Sequence, residues 1–125
     1  MSTTRETATI LLCVLLSAAG QIALKLGASS PALSALLGSG NFQGFVVRAL
    51  LSPMVFVGLL LYAASTVLWL FILARSELSY AYPFVSIGFV ITTLYGWQFL
   101  GESLSAGRVG GVVLIVAGVI LVARS

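Results

Sequence analysis

Apolar residues fill four long segments of the chain, and polar residues fall between them. The segments run over about residues 7–26, 53–74, 78–100 and 108–123. Each is close to the roughly 20 apolar residues that a helix needs to cross the hydrocarbon core of a bilayer. The pattern therefore predicts an all-α membrane protein, with four transmembrane helices in a single domain over residues 1–125.

The connections between these segments differ in length. Residues 75–77 make a tight polar turn after the second segment, and residues 101–107 make another after the third. Turns this short place consecutive helices as antiparallel hairpins. Residues 27–52 are longer and carry the Gly, Ser, Pro and Asn that are typical of loops. Within them, residues 42–51 predict either a short interfacial helix or an early start of the second span.

Composition agrees with a membrane protein and excludes several kinds of chemistry. Apolar residues make up 60% of the chain and charged residues 7%, against about 25% charged in an average soluble domain. The chain has no His and one Cys, which excludes His-based catalysis, an intrachain disulfide and a Cys-rich metal site. The three acids lie far apart in the sequence, so a carboxylate dyad is not expected. We therefore expect no enzyme activity, no metal and no cofactor.

The net charge of +3 comes from basic residues that are scattered singly along the chain. Single Lys and Arg residues in so apolar a chain are typical of membrane borders, and no basic patch predicts a nucleic-acid partner. With the N-terminus inside, the basic residues divide evenly, with Arg5, Arg75 and Arg124 inside and Lys25, Arg48 and Arg108 outside. The positive-inside rule therefore favours neither orientation, which is compatible with dual topology or with a partner that sets the orientation.

Three of the four segments carry a row of polar or aromatic residues on one helix face. In lipid, such side chains face other helices or a hydrated cavity, so the rows predict a shared cavity that binds substrate. The predicted substrate-binding residues are Ser17, Gln21, Lys25, Tyr62, Thr66, Tyr82 and Ser86. The alternative is plain interhelical hydrogen bonding, with Lys25 reaching the interface and with Trp69 and Trp97 in an aromatic belt.

The fourth segment carries glycines where the others carry polar side chains. Gly111 and Gly118 are seven residues apart and fall on nearly the same face, where two helix backbones can approach closely. One four-helix unit encloses little volume, so we expect a dimer with this face as its interface. The alternative is that the glycines pack against helices of the same chain.

The sequence resembles the drug/metabolite transporter superfamily, which includes the small multidrug resistance proteins and the four-helix EamA-like proteins. The stretch from Gly111 to Gly118 is similar to the dimerisation motif of the small multidrug resistance proteins. Ser17 stands where those transporters carry an essential Glu within the membrane, and Val85 stands where they carry a substrate-stacking Trp. The resemblance therefore implies their fold and their dimer without their proton and drug site.

A closer resemblance is to the paired subunits that flip aminoarabinose-phosphoundecaprenol across the bacterial inner membrane. It rests on Ala19-Gly20-Gln21 with Lys25, on Ala81-Tyr82-Pro83 with Ser86, and on Glu102 with Ser105. The resemblance implies a multi-pass inner-membrane flippase for a lipid-linked sugar or polyprenyl phosphate, working as a homodimer or as a heterodimer with a similar subunit. The alternatives are a multidrug-type exporter of small cationic compounds or metabolites, for which no acid lies mid-span, and a non-transporting membrane subunit.

Overall fold

The computed structural model describes residues 3–125, and within these residues every regular element is helical. The elements are α1 (Thr3–Ala28), α2 (Pro31–Gly38), α3 (Phe42–Leu51), α4 (Pro53–Arg75), α5 (Leu78–Ala81), a 3₁₀ turn (Tyr82–Val85), α6 (Ser86–Phe99) and α7 (Ala106–Arg124). Four stretches are long and apolar enough to cross a membrane, namely Thr4–Ala28, Pro53–Arg75, Leu78–Phe99 and Ala106–Arg124. The predicted fold class, an all-α membrane protein with four transmembrane helices, is confirmed.

The segment between the first two spans forms two short helices with their own caps. The Ser30 side chain accepts a hydrogen bond from the Leu33 amide at 3.4 Å, and the Asn41 side chain accepts one from the Gly44 amide at 2.9 Å. The backbone is extended at Ser52, where α3 ends and α4 begins. Residues 42–51 are therefore a separate helix and not an early start of the second span. Its position at the membrane interface stays a prediction.

Helices α1 and α4 form a close antiparallel pair because glycines face each other across it. A Cβ atom on Gly20 would lie 3.0 Å from the Gly58 carbonyl oxygen, and a Cβ on Gly58 would lie 2.9 Å from the Gly20 carbonyl oxygen. A Cβ on Gly27 would likewise lie 2.9 Å from the Val55 amide nitrogen. Small residues let the two backbones approach, so these glycines account for the close packing of α1 against α4.

The apolar core lies at the end of the bundle where α1 begins and α4 and α7 end. Its buried members come from all four spans, namely Ile10, Cys13, Val14, Ile72, Ala81, Phe84 and Val119. The Cys13 thiol donates a hydrogen bond to the Ser65 carbonyl oxygen at 3.1 Å and so links α1 to α4. The cavity of about 520 Å³ lies toward the other end of the bundle.

The third span is interrupted near its start. Pro83 has no N–H to donate and its ring crowds the preceding turn, so the α-helix tightens to the 3₁₀ turn Tyr82–Val85 before α6 begins. The turn buries Phe84 in the core and leaves Tyr82 exposed on the side of α4. The interruption therefore determines that Phe84 packs in the core and that Tyr82 lies outside it.

Candidate functional site

A groove of about 520 Å³ lies between α1 and α6, with α4 behind it. The two helices touch where Gly88 meets Val14, since a Cβ on Gly88 would lie 3.6 Å from a Val14 methyl carbon. Beyond this contact the groove extends to the turn that follows α6. Its polar lining residues are Ser17, Gln21, Lys25, Tyr62, Thr92, Thr93, Tyr95 and Glu102.

A second, narrower compartment of about 210 Å³ continues the groove toward the core. Both compartments are lined by Ser17, Tyr62, Val85 and Gly88. Its far end is lined by two aromatic rings, with the centroids of Trp69 and Tyr82 6.0 Å apart in an edge-to-face arrangement. The groove is thus wide at the Lys25 end and narrow at the Trp69 end.

Six of the seven predicted substrate-binding residues line these two compartments. Ser17, Gln21, Lys25 and Tyr62 line the wide one, and Thr66 and Tyr82 join Ser17 and Tyr62 around the narrow one. Ser86 is half-buried and lines neither compartment. Their roles in binding stay predictions, and the placement of Ser86 gives its predicted role no support.

The α1 wall of the wide compartment offers hydrogen-bond donors. Ser17, Gln21 and Lys25 follow one another at four-residue spacing along this wall, so they span about 12 Å at 1.5 Å per residue. No hydrogen bond within the described residues engages the Ser17 or Gln21 side chain. The Ser17 hydroxyl and the Gln21 NH₂ group are therefore free to donate to a ligand.

The α6 wall offers acceptors. The Thr92 and Thr93 hydroxyls already donate to the Phe89 carbonyl oxygen, at 3.1 Å and 2.6 Å. A hydroxyl that has given its one hydrogen to its own helix keeps its lone pairs for other groups. The Thr92 and Thr93 hydroxyls on α6 are therefore left as acceptors, whereas Lys25 on α1 can only donate.

Lys25 and Glu102 face each other at the wide end of the groove. The Lys25 Nζ lies 4.0 Å from the Glu102 Oε2, and the two side chains are 55% and 47% exposed. An ion pair this exposed contributes little to stability, about 0–1 kcal/mol. These two residues form the mouth of the groove, and both charges remain accessible from outside the chain.

The turn after α6 holds Glu102 at the mouth. Gly96 is buried, and a Cβ at that position would collide with the Glu102 carboxylate. The Glu102 amide donates to the Gly96 carbonyl oxygen at 3.1 Å, while Gly101 takes a φ of +71°, which glycine adopts without steric cost. The predicted site did not include Glu102. The glycines at 96 and 101 were the signal in the sequence, because they mark a tight reversal that brings residue 102 back beside α6.

The outer face of α7 is not used within the chain. A Cβ on Gly111 or Gly118 would meet nothing within 4 Å. Leu114 and Leu121, which lie on the same side as Gly118, are 74% and 71% exposed, whereas Val119 faces the core. Gly111 and Gly118 therefore have no close neighbour from another helix of the chain, and the dimer interface on this face stays a prediction.

Full-length relatives of the chain occur in Pseudomonas. A protein of Pseudomonas aeruginosa named "Probable 4-amino-4-deoxy-L-arabinose-phosphoundecaprenol flippase subunit ArnE" is 34% identical over 118 residues, which cover 94% of this chain and 96% of that protein. The chain belongs to the family of aminoarabinose-phosphoundecaprenol flippase subunits. The resemblance seen in the sequence is confirmed.

Other members of this flippase family have names ending in ArnE or ArnF. An ArnE of Pseudomonas fluorescens is 30% identical over 92% of this chain and 94% of that protein. An ArnF of Erwinia tasmaniensis is 39% identical over 54% of each chain. No protein-family model matches the chain, and no solved structure matches it. With four spans and this family, the chain is a multi-pass protein of the bacterial inner membrane.

Proposed function

We propose that the chain is a subunit of a flippase that moves a sugar-linked polyprenyl phosphate across the bacterial inner membrane. The observation that carries the proposal is the α1 wall, where one cation and two uncommitted donors line an open groove. A phosphate group has acceptor oxygens and a negative charge, and it needs such donors to leave water. The full-length relative in Pseudomonas aeruginosa is named for a substrate of this class.

The head group enters at Lys25 and passes along α1. Lys25 attracts the phosphate at the mouth, and Gln21 and Ser17 then donate to it in turn as it moves toward the narrow compartment. The ammonium itself stays near the head-group region, because a charge at the bilayer centre costs about 2.5–3.5 kcal/mol. Three donors at regular spacing thereby replace the water that the phosphate leaves.

The polyprenyl tail stays outside the groove in the lipid. Phe89 lines the groove and is nevertheless 62% exposed, so an apolar side chain borders the opening between the groove and the surroundings. A long hydrocarbon tail is as apolar as the lipid around it and gains nothing by entering a polar groove. The substrate therefore crosses with its head group inside and its tail outside.

Transport of this kind needs no covalent step, and we propose that the chain is not an enzyme. An exporter of cations with proton exchange, the alternative function, would need a carboxylate within the span. Among residues 3–125, Glu102 is the one acid that lines the groove, and it lies at the mouth beside Lys25. The arrangement therefore favours the flippase over the multidrug-type exporter.

We infer that the transporting unit is a dimer joined through α7. The face that carries Gly111 and Gly118 has no neighbour within the chain, and glycine faces let helices of two chains approach closely. The second subunit is either another copy or a similar subunit.

The experiment uses the amine of the lipid as a reporter. The full chain, purified together with its second copy or partner, is reconstituted in vesicles containing 4-amino-4-deoxy-L-arabinose-phosphoundecaprenol on the inner leaflet. A membrane-impermeant amine reagent then labels only the lipid that has crossed. We expect labelling well above that of protein-free vesicles, whereas equal labelling of both would overturn the proposed function.

A further inference from the structure

We propose that Glu102 is the group that recognises the sugar amine of the transported lipid, while Lys25 binds its phosphate. The inference rests on the proposed flippase function and names the substrate feature that the same groove selects. It follows from the ion pair between Lys25 on α1 and Glu102 on the turn after α6, and from the two acceptor hydroxyls of Thr92 and Thr93 beside it.

The head group named for the relatives carries two opposite charges. Its sugar has a primary amine, which is an ammonium ion at neutral pH, and its phosphate links the sugar to the polyprenol. The two charges lie on opposite sides of one sugar ring. A groove that takes this head group in one orientation needs an acceptor on one wall and a cation on the other, and this is the polarity that α6 and α1 present.

Glu102 is held in position to be that acceptor. Its amide is bound to the Gly96 carbonyl oxygen, and its carboxylate lies over the space that a side chain at position 96 would occupy. The backbone at Glu102 is therefore held by the turn, and the Glu102 side chain lines the groove. An ammonium has three hydrogens to donate and accepts none, so it needs several acceptors in reach.

The remaining acceptors lie along the same wall. The hydroxyls of Thr92 and Thr93 donate to the Phe89 carbonyl oxygen, so they can act toward a ligand only as acceptors, and both residues line the groove. Together with the Glu102 carboxylate they offer oxygen atoms to the ammonium and to the sugar hydroxyls. A neutral sugar with a hydroxyl in place of the amine would lose the charged interaction with Glu102 and keep the others.

In the absence of ligand, Lys25 and Glu102 pair with each other at the mouth of the groove, and the ligand exchanges with both. At 4.0 Å and half-exposed, the pair is weak and opens readily. The incoming phosphate replaces Glu102 as the partner of Lys25, and the incoming ammonium replaces Lys25 as the partner of Glu102. Neither charge of the groove or of the ligand is left unpaired, and a lipid with only one of the two charges leaves one groove charge without a partner.

The test compares two lipids in the vesicle assay. The first carries 4-amino-4-deoxy-L-arabinose on the polyprenyl phosphate, the second carries L-arabinose, and both carry a radiolabel and compete for transport. We expect the parent chain to prefer the amino lipid by roughly tenfold, the scale of one exposed charge-assisted hydrogen bond. In Glu102→Gln, which keeps the shape and removes the charge, the preference falls to about one.

Two further variants separate recognition from a structural ion pair. Glu77→Gln removes a carboxylate from the turn between the second and third spans, at the opposite end of the bundle, and should leave the preference unchanged. The double variant Lys25→Glu with Glu102→Lys rebuilds the ion pair with the charges exchanged. A structural pair would be restored by this exchange, whereas we expect the preference for the amino lipid to stay lost.

The outcomes distinguish this inference from the proposed function. A parent chain that moves neither lipid overturns the flippase proposal itself. A parent chain that transports the amino lipid, together with a Glu102→Gln variant that keeps the parent's preference, overturns the amine site alone. Restoration of the preference by the charge exchange also overturns it, because the pair would then act through its stability and not through its polarity.

Discussion

Replacing Lys25 by Ala removes the one cation that lines the groove within the described residues, and the structure sets the size of the expected effect. Two unit charges 4 Å apart attract each other by about 4 kcal/mol at an effective dielectric constant of 20 and by about 1 kcal/mol in water. The Lys25 side chain is 55% exposed, so its attraction for a phosphate lies nearer the lower value. A loss of about 1.4 kcal/mol corresponds to a tenfold weaker apparent affinity.

The assay is the concentration dependence of lipid flipping in vesicles. Lys25→Ala should raise the apparent KM about tenfold, and added salt should narrow the difference because an exposed charge is screened. Membrane insertion should be unaffected, since the exposed pair with Glu102 adds little stability. Lys25→Arg should retain part of the activity, because attraction by a cation at this place does not require the compact shape of an ammonium.

A matched control removes a different cation. Arg48 is exposed on α3, in the segment that connects α1 to α4 on the groove side of the bundle, so Arg48→Ala changes the net charge equally without touching the groove. We expect its apparent KM to equal that of the parent. If Lys25→Ala transports the lipid as well as the parent does, the Lys25 side chain only extends to the membrane–water interface, and phosphate binding by Lys25 at the mouth is refuted.

Three further predictions concern packing, assembly and orientation. Gly58→Ala should lower the free energy of unfolding, measured by denaturation, by about 1–3 kcal/mol, because the new Cβ would press on the Gly20 carbonyl. The control Gly38→Ala places its Cβ in open space and should leave that free energy unchanged. Gly118→Leu should weaken association in membrane cross-linking, whereas Val113→Leu on another side of α7 should not, and an undiminished cross-link would place the interface elsewhere. Reporters fused to the C-terminus distinguish the two orientations that the even charge split allows: signal from both sides of the membrane is expected for dual topology, and signal from one side alone would exclude it.

The four spans were predictable from the sequence because lipid imposes a simple rule. A span needs a long apolar stretch whose backbone hydrogen bonds are all internal, and a run such as Pro53–Arg75 shows this without any knowledge of its neighbours. The 3₁₀ turn at Tyr82–Val85 was only partly indicated. Pro83 predicts a disturbed helix, but the local path depends on which aromatic side chains the core accepts.

The α1 side of the groove was predictable from the sequence, because the spacing of residues along one helix determines which of them share a face. Ser17, Gln21 and Lys25 repeat every four residues, so one helix suffices to bring them together. Glu102 lies after the third span, and its approach to Lys25 depends on how α1 and α6 are packed and on the turn at Gly101. Such a contact between distant parts of the chain leaves no periodic signal.

The sequence also could not show whether the threonine hydroxyls of the groove act as donors or as acceptors. A Thr side chain is both donor and acceptor, and the sequence does not say which function it retains. In the structure Thr92 and Thr93 donate to the Phe89 carbonyl, which leaves them as acceptors. The donors on α1 could therefore be predicted from residue types, whereas the acceptor role of Thr92 and Thr93 could be seen only in the structure.

Capturing the lipid in the groove tests most directly whether the groove binds its head group. A photo-cross-linking amino acid is placed at Thr92 on the groove wall or, as a control, at Val113 on the exposed side of α7, in cells that make the aminoarabinose lipid. After irradiation, the purified chain is analysed by mass spectrometry for an adduct that contains the phosphate-linked amino sugar. We predict a head-group adduct at position 92 and none at position 113. Equal yields at both positions, or ordinary phospholipid alone at position 92, would contradict a groove that binds the head group.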